Sequence, residues 1–267
     1  QYAGLFGRIG SGGKVMNVKL EGVQIESDNE TSDVGGVAGW SYGNIENCSV
    51  SGSVSVSGMN GVAGGVVGYQ SGGLLTRCSS SATVNAGNTA GGVVGTTNNG
   101  ATLTACYATG SVTLESINQY GNFAGGVVGS NGSSSTLKAC YAWGSVTGSG
   151  SGTIYVGGVT GSNDLGTLTA CYHATGDVTG ASRSTGGVVG RNYKDNSGSS
   201  IVTACYWNGT VADDNGIGND MVGNGGTTQV TDGDWQTAVT QMNTALQSAG
   251  SEWRYELTGA LPTLKKQ

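Results

Sequence analysis

The chain has one proline, one histidine and a charged fraction of only 10% across 267 residues. A lone histidine leaves a serine or cysteine nucleophile without its usual base, and no CxxC pair or Cys/His cluster offers zinc spacing. Eleven Lys and Arg against 17 Asp and Glu give a net charge of −6. That balance excludes the basic clusters that nucleic acid or an anionic membrane surface requires. No apolar run reaches the ~18 residues of a transmembrane helix. Glycine is abundant, at 52 residues, yet no G-X-Y register accompanies it, which excludes collagen. With 36% hydrophobic residues, the chain can bury a narrow core and no thick one.

The glycines recur in phrase. GGVVG begins at residues 64, 91, 125 and 186, GGVAG at 35, GGVTG at 157, and a worn copy, AGLFG, at 3. The intervals of 32, 29, 27, 34, 32 and 29 residues mark a solenoid, propeller or array. Each phrase after the first is followed by a polar stretch, a buried-type aliphatic (Ile45, Leu75, Leu103, Leu137, Leu168, Val202) and then a cysteine. After the cysteine, Val54, Val84, Val112, Val146 and Val211 each stand six residues on. Even offsets share one face of a strand, so cysteine and valine face inward together while Ser, Thr and Tyr face outward. In the Cys171 copy the valine is Val178, seven residues on, and the extra residue is read as His173. One extra residue would flip the following side chains unless absorbed, so a β-bulge or corner is expected near His173.

GGVVG reads as a short strand with one buried valine, and each repeat as three short strands. No repeat makes a core alone, and coaxial stacking supplies one. The expected fold is all-β: a right-handed parallel β-helix of about seven coils, roughly 34 Å long at one strand spacing per coil. A β-propeller is the alternative, although its blades usually need about 40–50 residues. The six cysteines are expected to be free and buried. The first repeat puts Val18 at their position, and in-register Cβ atoms about 4.8 Å apart lie beyond disulfide reach.

GGVVG at 91–95 with LTACYATGSV at 103–112, and GGVVG at 125–129 with LKACYAWGSV at 137–146, resemble the GLUG motif, a short glycine-rich repeat of bacterial secreted and surface proteins. The resemblance covers residues 1–212. It implies an adhesin-like or flanking module, extracellular or on the bacterial cell surface and part of a larger protein, and carries over no catalytic residue.

Residues 213–267 form a separate C-terminal turn and capping segment. DGDWQTAVTQMNTALQSAG predicts a helix capped by Asp232 or Asp234 and stopped by Gly250, with Trp235, Ala238, Val239, Met242, Ala245, Leu246 and Ala249 on one face. Together with Trp253, Tyr255 and Leu257, that face is expected to close the open end of the last coil.

NGIGNDMV at 215–222 partly matches a calcium-binding nonapeptide, making Asp213, Asp214 and Asp220 candidate calcium ligands; no other cofactor is expected. Asp28, Glu30, Asp33, Asp164, Asp177 and Asp195 are carboxylates of the type glycoside hydrolysis uses, but they lie at scattered repeat offsets. Tyr107, Tyr141, Tyr172 and Tyr206 each follow a cysteine on the outward face, with Trp143 two positions beyond Tyr141. Stacking would align them as a ladder able to grip sugar rings, or one that merely stiffens the rod. The reading is a non-catalytic adhesin-like or structural module for an extracellular glycan or a host or bacterial surface protein. A carbohydrate-binding or carbohydrate-cleaving β-helix is the alternative.

Overall fold

The computed structural model describes residues 1–181, 184–211, 214–223 and 225–267. Each repeat lays down one turn of a parallel β-solenoid, and each turn feeds four sheets, not three. In the turn that begins at Val62, strand Val62–Gly64 enters sheet A and Val67–Ser71 enters sheet B. Leu74–Thr76 then enters sheet C, and Ser79–Ser80 with Thr83–Ala86 enters sheet D. The next turn lies over it in register: Ala63 pairs with Ala90, Val67 with Val94, Leu75 with Leu103, Ser79 with Tyr107 and Val84 with Val112, all in parallel. Sheet neighbours therefore come from successive repeats. A propeller blade pairs strands inside one repeat, and the propeller alternative fails on that point.

GGVVG is a corner where a strand was expected. Gly64 ends its sheet A strand, Gly65 and Val66 turn, and Val67 opens the sheet B strand. The bend lets adjacent valines both point inward, and Val66 and Val67 are fully buried. Close approach demands the glycines. A Cβ on Gly126 would overlap the Gly158 carbonyl of the next coil and stand 2.7 Å from the Ala142 Cβ across the core.

A second corner joins sheets C and D. The residue before each cysteine, or before Val18, is left-handed: Asn17, Asn47, Arg77, Ala105, Ala139, Ala170 and Ala204 have φ between 49° and 58°. This conformation is disfavoured for alanine, and the neighbouring coil over-determines it. The Ala105 N–H donates to the Lys138 carbonyl at 3.1 Å, and the Ala139 N–H to the Thr169 carbonyl at 3.1 Å.

Inside, identical positions form columns. Ile45, Leu75, Leu103, Leu137, Leu168 and Val202 are buried on sheet C, and the six cysteines are buried and free beside them. Each thiol donates back to the carbonyl two residues earlier, as Cys106 Sγ does to Thr104 O at 3.5 Å. Burial pushes the Cys106 and Cys171 thiols far above their ordinary range.

His173 is not the inserted residue. It pairs in register with Ala142 on one side and Trp207 on the other, pointing into the core and fully buried. The extra residue is absorbed two positions later, where Thr175 has φ 72°, and Val178 regains register with Val146.

A polar column also runs through the core. Thr97 Oγ1 donates to Asn131 Oδ1 at 2.8 Å, Asn131 Nδ2 to Asn163 Oδ1 at 2.8 Å, Asn163 Nδ2 to Asn192 Oδ1 at 3.3 Å, and Asn192 Nδ2 to Asp220 Oδ1 at 3.1 Å. Buried amides are tolerated there because the coils above and below supply their partners.

Coil geometry continues past the last sequence repeat: Ile217–Asp220 pairs with sheet B and Thr227–Gln229 with sheet D. Helix α1 spans Trp235–Ser248 with Asp234 as N-cap, and Gly250 at φ 62° follows its end. Strands Trp253–Glu256 and Thr263–Lys266 form an antiparallel pair. This C-terminal segment lies along the flank of the solenoid, where an end cap was expected. Trp235, Val239, Met242, Leu246 and Tyr255 bury themselves against Ala139, Tyr141, Ala170, Tyr172 and Tyr206. The tyrosine column offers that helix an aromatic surface to cover. Among the described residues no helix is long and apolar enough to cross a membrane.

Candidate functional site

The first outward residue of each sheet D strand follows the buried cysteine, so one column on the flank reads Ser49, Ser79, Tyr107, Tyr141, Tyr172, Tyr206 and Thr228 in register. Parallel pairing stacks the rings: Tyr107 and Tyr141 lie 4.9 Å apart at 3°, Tyr141 and Tyr172 5.0 Å apart at 9°. Trp143 tilts against Tyr141 at 5.1 Å, and its indole N–H donates to the Tyr172 hydroxyl at 3.0 Å.

The C-terminal segment closes most of this ladder. Trp235 and Tyr255 pack on Tyr172 at 5.0 and 5.5 Å, the Tyr172 hydroxyl donates to the Pro262 carbonyl, and the Tyr206 hydroxyl donates to Gln241 Oε1 of α1. Tyr141, Tyr172 and Tyr206 are left 5%, 0% and 3% exposed. Burial holds the Tyr141 and Tyr172 hydroxyls well above the usual phenol range, so both remain neutral donors. Of the five aromatic candidates, Tyr107 and Trp143 alone keep part of their surface open.

Tyr107 sits where two grooves meet. One, of about 370 Å³, is lined by Asn47, Ser49, Arg77, Ser79, Tyr107 and Trp253 among others. The other, of about 580 Å³, takes in Lys19, Ser49, Ser79, Ser81, Tyr107 and Trp143. Ser49, Ser79 and Tyr107 belong to both, Trp253 to one wall and Trp143 to the other. At the rim, Glu46 takes an ion pair from Arg77 at 2.7 Å and a looser one from Lys14 at 3.7 Å. Lys19, in the second groove, pairs with Glu21 at 2.7 Å, so each cation at the grooves has a carboxylate partner. A larger groove of about 680 Å³ lies further along sheet D, between Ser55 and Ser149, without an aromatic ring.

Of the three calcium candidates, the structure describes Asp214 and Asp220. Asp213 lies outside the described residues. Asp220 ends the amide column and also accepts from the Val222 N–H at 3.1 Å, while Asp214 Oδ1 accepts from Gln229 Nε2 at 3.4 Å. Among the described residues no three His, Cys, Asp or Glu side chains converge. Asp164 is committed to Arg191 through contacts of 2.7 and 2.9 Å, and Asp195 to the Ser197 backbone and hydroxyl at 2.7 and 2.6 Å. His173 is sealed in the core, its Nε2 3.0 Å from the Gly144 carbonyl oxygen.

Sequence reasoning missed two aromatic groups on the opposite flank. Trp40 stacks on Tyr69 at 4.1 Å, with Tyr2 edge-on at 5.3 Å; Arg191 lies over Phe123, Tyr155 and Tyr193 at 5.0–5.2 Å. The available signal was register: Trp40 and Tyr69 hold the same place, five residues after the start of their glycine phrases.

The family model of the GLUG motif matches residues 30–55, which span one coil from before sheet A into sheet D. A search of curated proteins finds no match. Among solved structures, the fold is similar to that of a Bacteroides ovatus protein proposed to be an immunoglobulin A1 protease, with a TM-score of 0.54 and 21% identity over 96% of this chain and 76% of that one. At that identity the likeness shows the fold. One coil carries a match to the GLUG motif, and coils of the same pattern stack in register, so the chain is a repeat protein folded as a parallel β-solenoid that contains a GLUG motif.

Proposed function

We propose that the chain is a non-catalytic module of a bacterial surface or secreted protein, which presents the sheet D flank to a ligand or partner. The observation that carries this reading is the partial cover of the tyrosine ladder. The protein's own C-terminal segment packs on Tyr141, Tyr172 and Tyr206 and leaves Tyr107 only half-buried, where two grooves meet. Pockets that combine an apolar platform with a few polar groups are the usual seats of ligands. The burial of the single histidine and the commitment of Asp164 and Asp195 to structural partners favour binding over cleavage.

The test is a panel of arrayed glycans and surface glycoproteins, with the wild-type chain and a Tyr107→Ala/Trp143→Ala variant. Binding without turnover that the double substitution abolishes is expected. Cleavage of a bound ligand, or binding unchanged in the variant, overturns the reading.

A further inference from the structure

The tyrosine ladder stops while its column continues. Tyr107 stacks on Tyr141 on one side, and on the other the register positions belong to Ser79 and then Ser49. The outer face of the Tyr107 ring therefore has a serine where the next ring would stand. We infer that a neutral hexopyranose occupies this rung, its apolar face on Tyr107 in line with the ladder and its hydroxyls toward the serines and the rim. The inference rests on the flank being the binding surface and adds the class of ligand.

Three observations favour that occupant. First, rungs repeat at 4.9–5.0 Å, about the separation at which flat apolar faces stack, so one ring fills one rung. Second, the flanks are amphipathic. Trp253 and Trp143 wall the two grooves, while Ser49, Ser79, Ser81 and Asn47 supply hydroxyls and an amide in place of further apolar surface. A pyranose carries C–H groups on its faces and hydroxyls around its edge, and it matches that distribution. An aromatic or aliphatic side chain would leave the serines without partners. Third, each cation at the grooves already has a carboxylate partner, Arg77 and Lys14 sharing Glu46 and Lys19 on Glu21, so no cation there is dedicated to an acidic ligand. The rung is also continuous with the surface on which Trp253 and Leu264 of the C-terminal segment already sit.

The test uses the whole chain with neutral oligosaccharides of glucose, galactose and mannose as probes, read by calorimetry and by sugar proton shifts. Wild type is expected to bind at least one series and to move its axial ring protons upfield, as stacking on a phenol ring requires. Tyr107→Phe keeps the ring and should bind within a few-fold of wild type, whereas Tyr107→Ala should lose at least tenfold. Ser79→Tyr completes the ladder and should abolish sugar binding without lowering the melting temperature. Full sugar binding by folded Ser79→Tyr overturns the inference, as do sugar proton shifts without an upfield component. Should Ser79→Tyr fail to fold, the upfield shifts and the Tyr107 pair decide alone. If no neutral sugar binds while a surface protein does, and Tyr107→Ala weakens that protein, the sugar rung falls and the flank reading stands. If nothing binds at Tyr107, both fall.

Discussion

The Tyr255 hydroxyl donates to the Ala170 carbonyl oxygen at 2.9 Å and lies 3.4 Å from that of Cys140, so a side chain of the C-terminal hairpin is bonded to the corner between sheets C and D. That corner is where the backbone turns through a left-handed alanine in each of the later coils. The C-terminal segment thus fastens to the most constrained point of the repeat. It covers a flank and reinforces the corner beneath it.

Tyr255→Phe isolates the fastening. The ring stays fully buried, but the Ala170 carbonyl loses a donor. A buried acceptor left unsatisfied costs about 1–3 kcal/mol, and denaturant unfolding should register a loss of that size with the slope unchanged. No change would mean that the hydroxyl contributes nothing to docking.

Tyr172→Ala removes more. The ring contacts Tyr141, Trp235 and Tyr255, and its hydroxyl bonds Pro262 and Trp143. Large aromatic truncations in packed interiors cost about 3–5 kcal/mol. Because the loss falls on the interface between solenoid and C-terminal segment, limited proteolysis should release residues near 231–267 before the coils unfold. Simultaneous loss of both parts would show that they melt as one unit.

The glycine corner makes a sharper prediction. Gly126→Ala places a Cβ against both the Gly158 carbonyl of the next coil and the Ala142 side chain. Overpacking of this kind costs about 1–3 kcal/mol, more where backbone must move. Ala142→Gly in the same chain relieves the side chain and leaves the carbonyl. It is expected to restore little, and full rescue would show that core thinness rather than coil spacing requires the glycine.

The stacked architecture was legible because inward positions repeat: Leu103, Cys106 and Val112 return as Leu137, Cys140 and Val146 at the same spacings. The left-handed corner was not, since Ala105, Ala139 and Ala170 have no intrinsic preference for positive φ and only the neighbouring coils impose it. The count of four sheets was hidden for the same reason, because without that corner the Thr-Leu-Thr strand reads on into the cysteine segment. The amide column could have been found. Thr97, Asn131, Asn163 and Asn192 each stand six residues after the start of a glycine phrase, but polar residues there pass for a loop until stacking makes them partners. The aromatic column was visible as a pattern. Its cover was not, because an amphipathic helix announces a buried face without naming the surface that buries it.

The amide column can be cut at one rung. Asn163 donates to Asn192, accepts from Asn131 and reaches the Ile201 carbonyl at 3.4 Å. Asn163→Ala leaves a buried donor on one side and a buried acceptor on the other, an expected loss of about 2–4 kcal/mol. Hydrogen exchange should accelerate first around residues 128–131, 160–164 and 189–192, the sheet B strands that carry the column. Uniform acceleration across all coils would show instead that the solenoid opens only globally.

His173 makes the stability of the core depend on acid. Desolvation lowers its basicity below the ordinary 6.5, against weaker opposing effects of the Gly144 carbonyl and Asp177. A histidine depressed in the fold contributes stability that is full above the unfolded value and lost as pH falls, because the unfolded chain then takes up a proton that the core rejects. Asp33 acts in the opposite sense over a neighbouring range: burial pushes its carboxyl up to about 6, so its contribution is full below its ordinary value near 3.8 and lost as pH rises through 6. The comparison must therefore be made between variants at each pH. His173→Ala installs the residue found one coil earlier at Ala142 and leaves Asp33 untouched. At pH 7.5 the variant should be less stable, because it loses packed volume and the bond to Gly144. Between pH 6.5 and 5 the gap should narrow, since wild type alone pays for charging the imidazole. Thermal melts of both proteins across that range decide the matter; a gap that stays constant would mean that His173 does not carry the acid sensitivity of the fold.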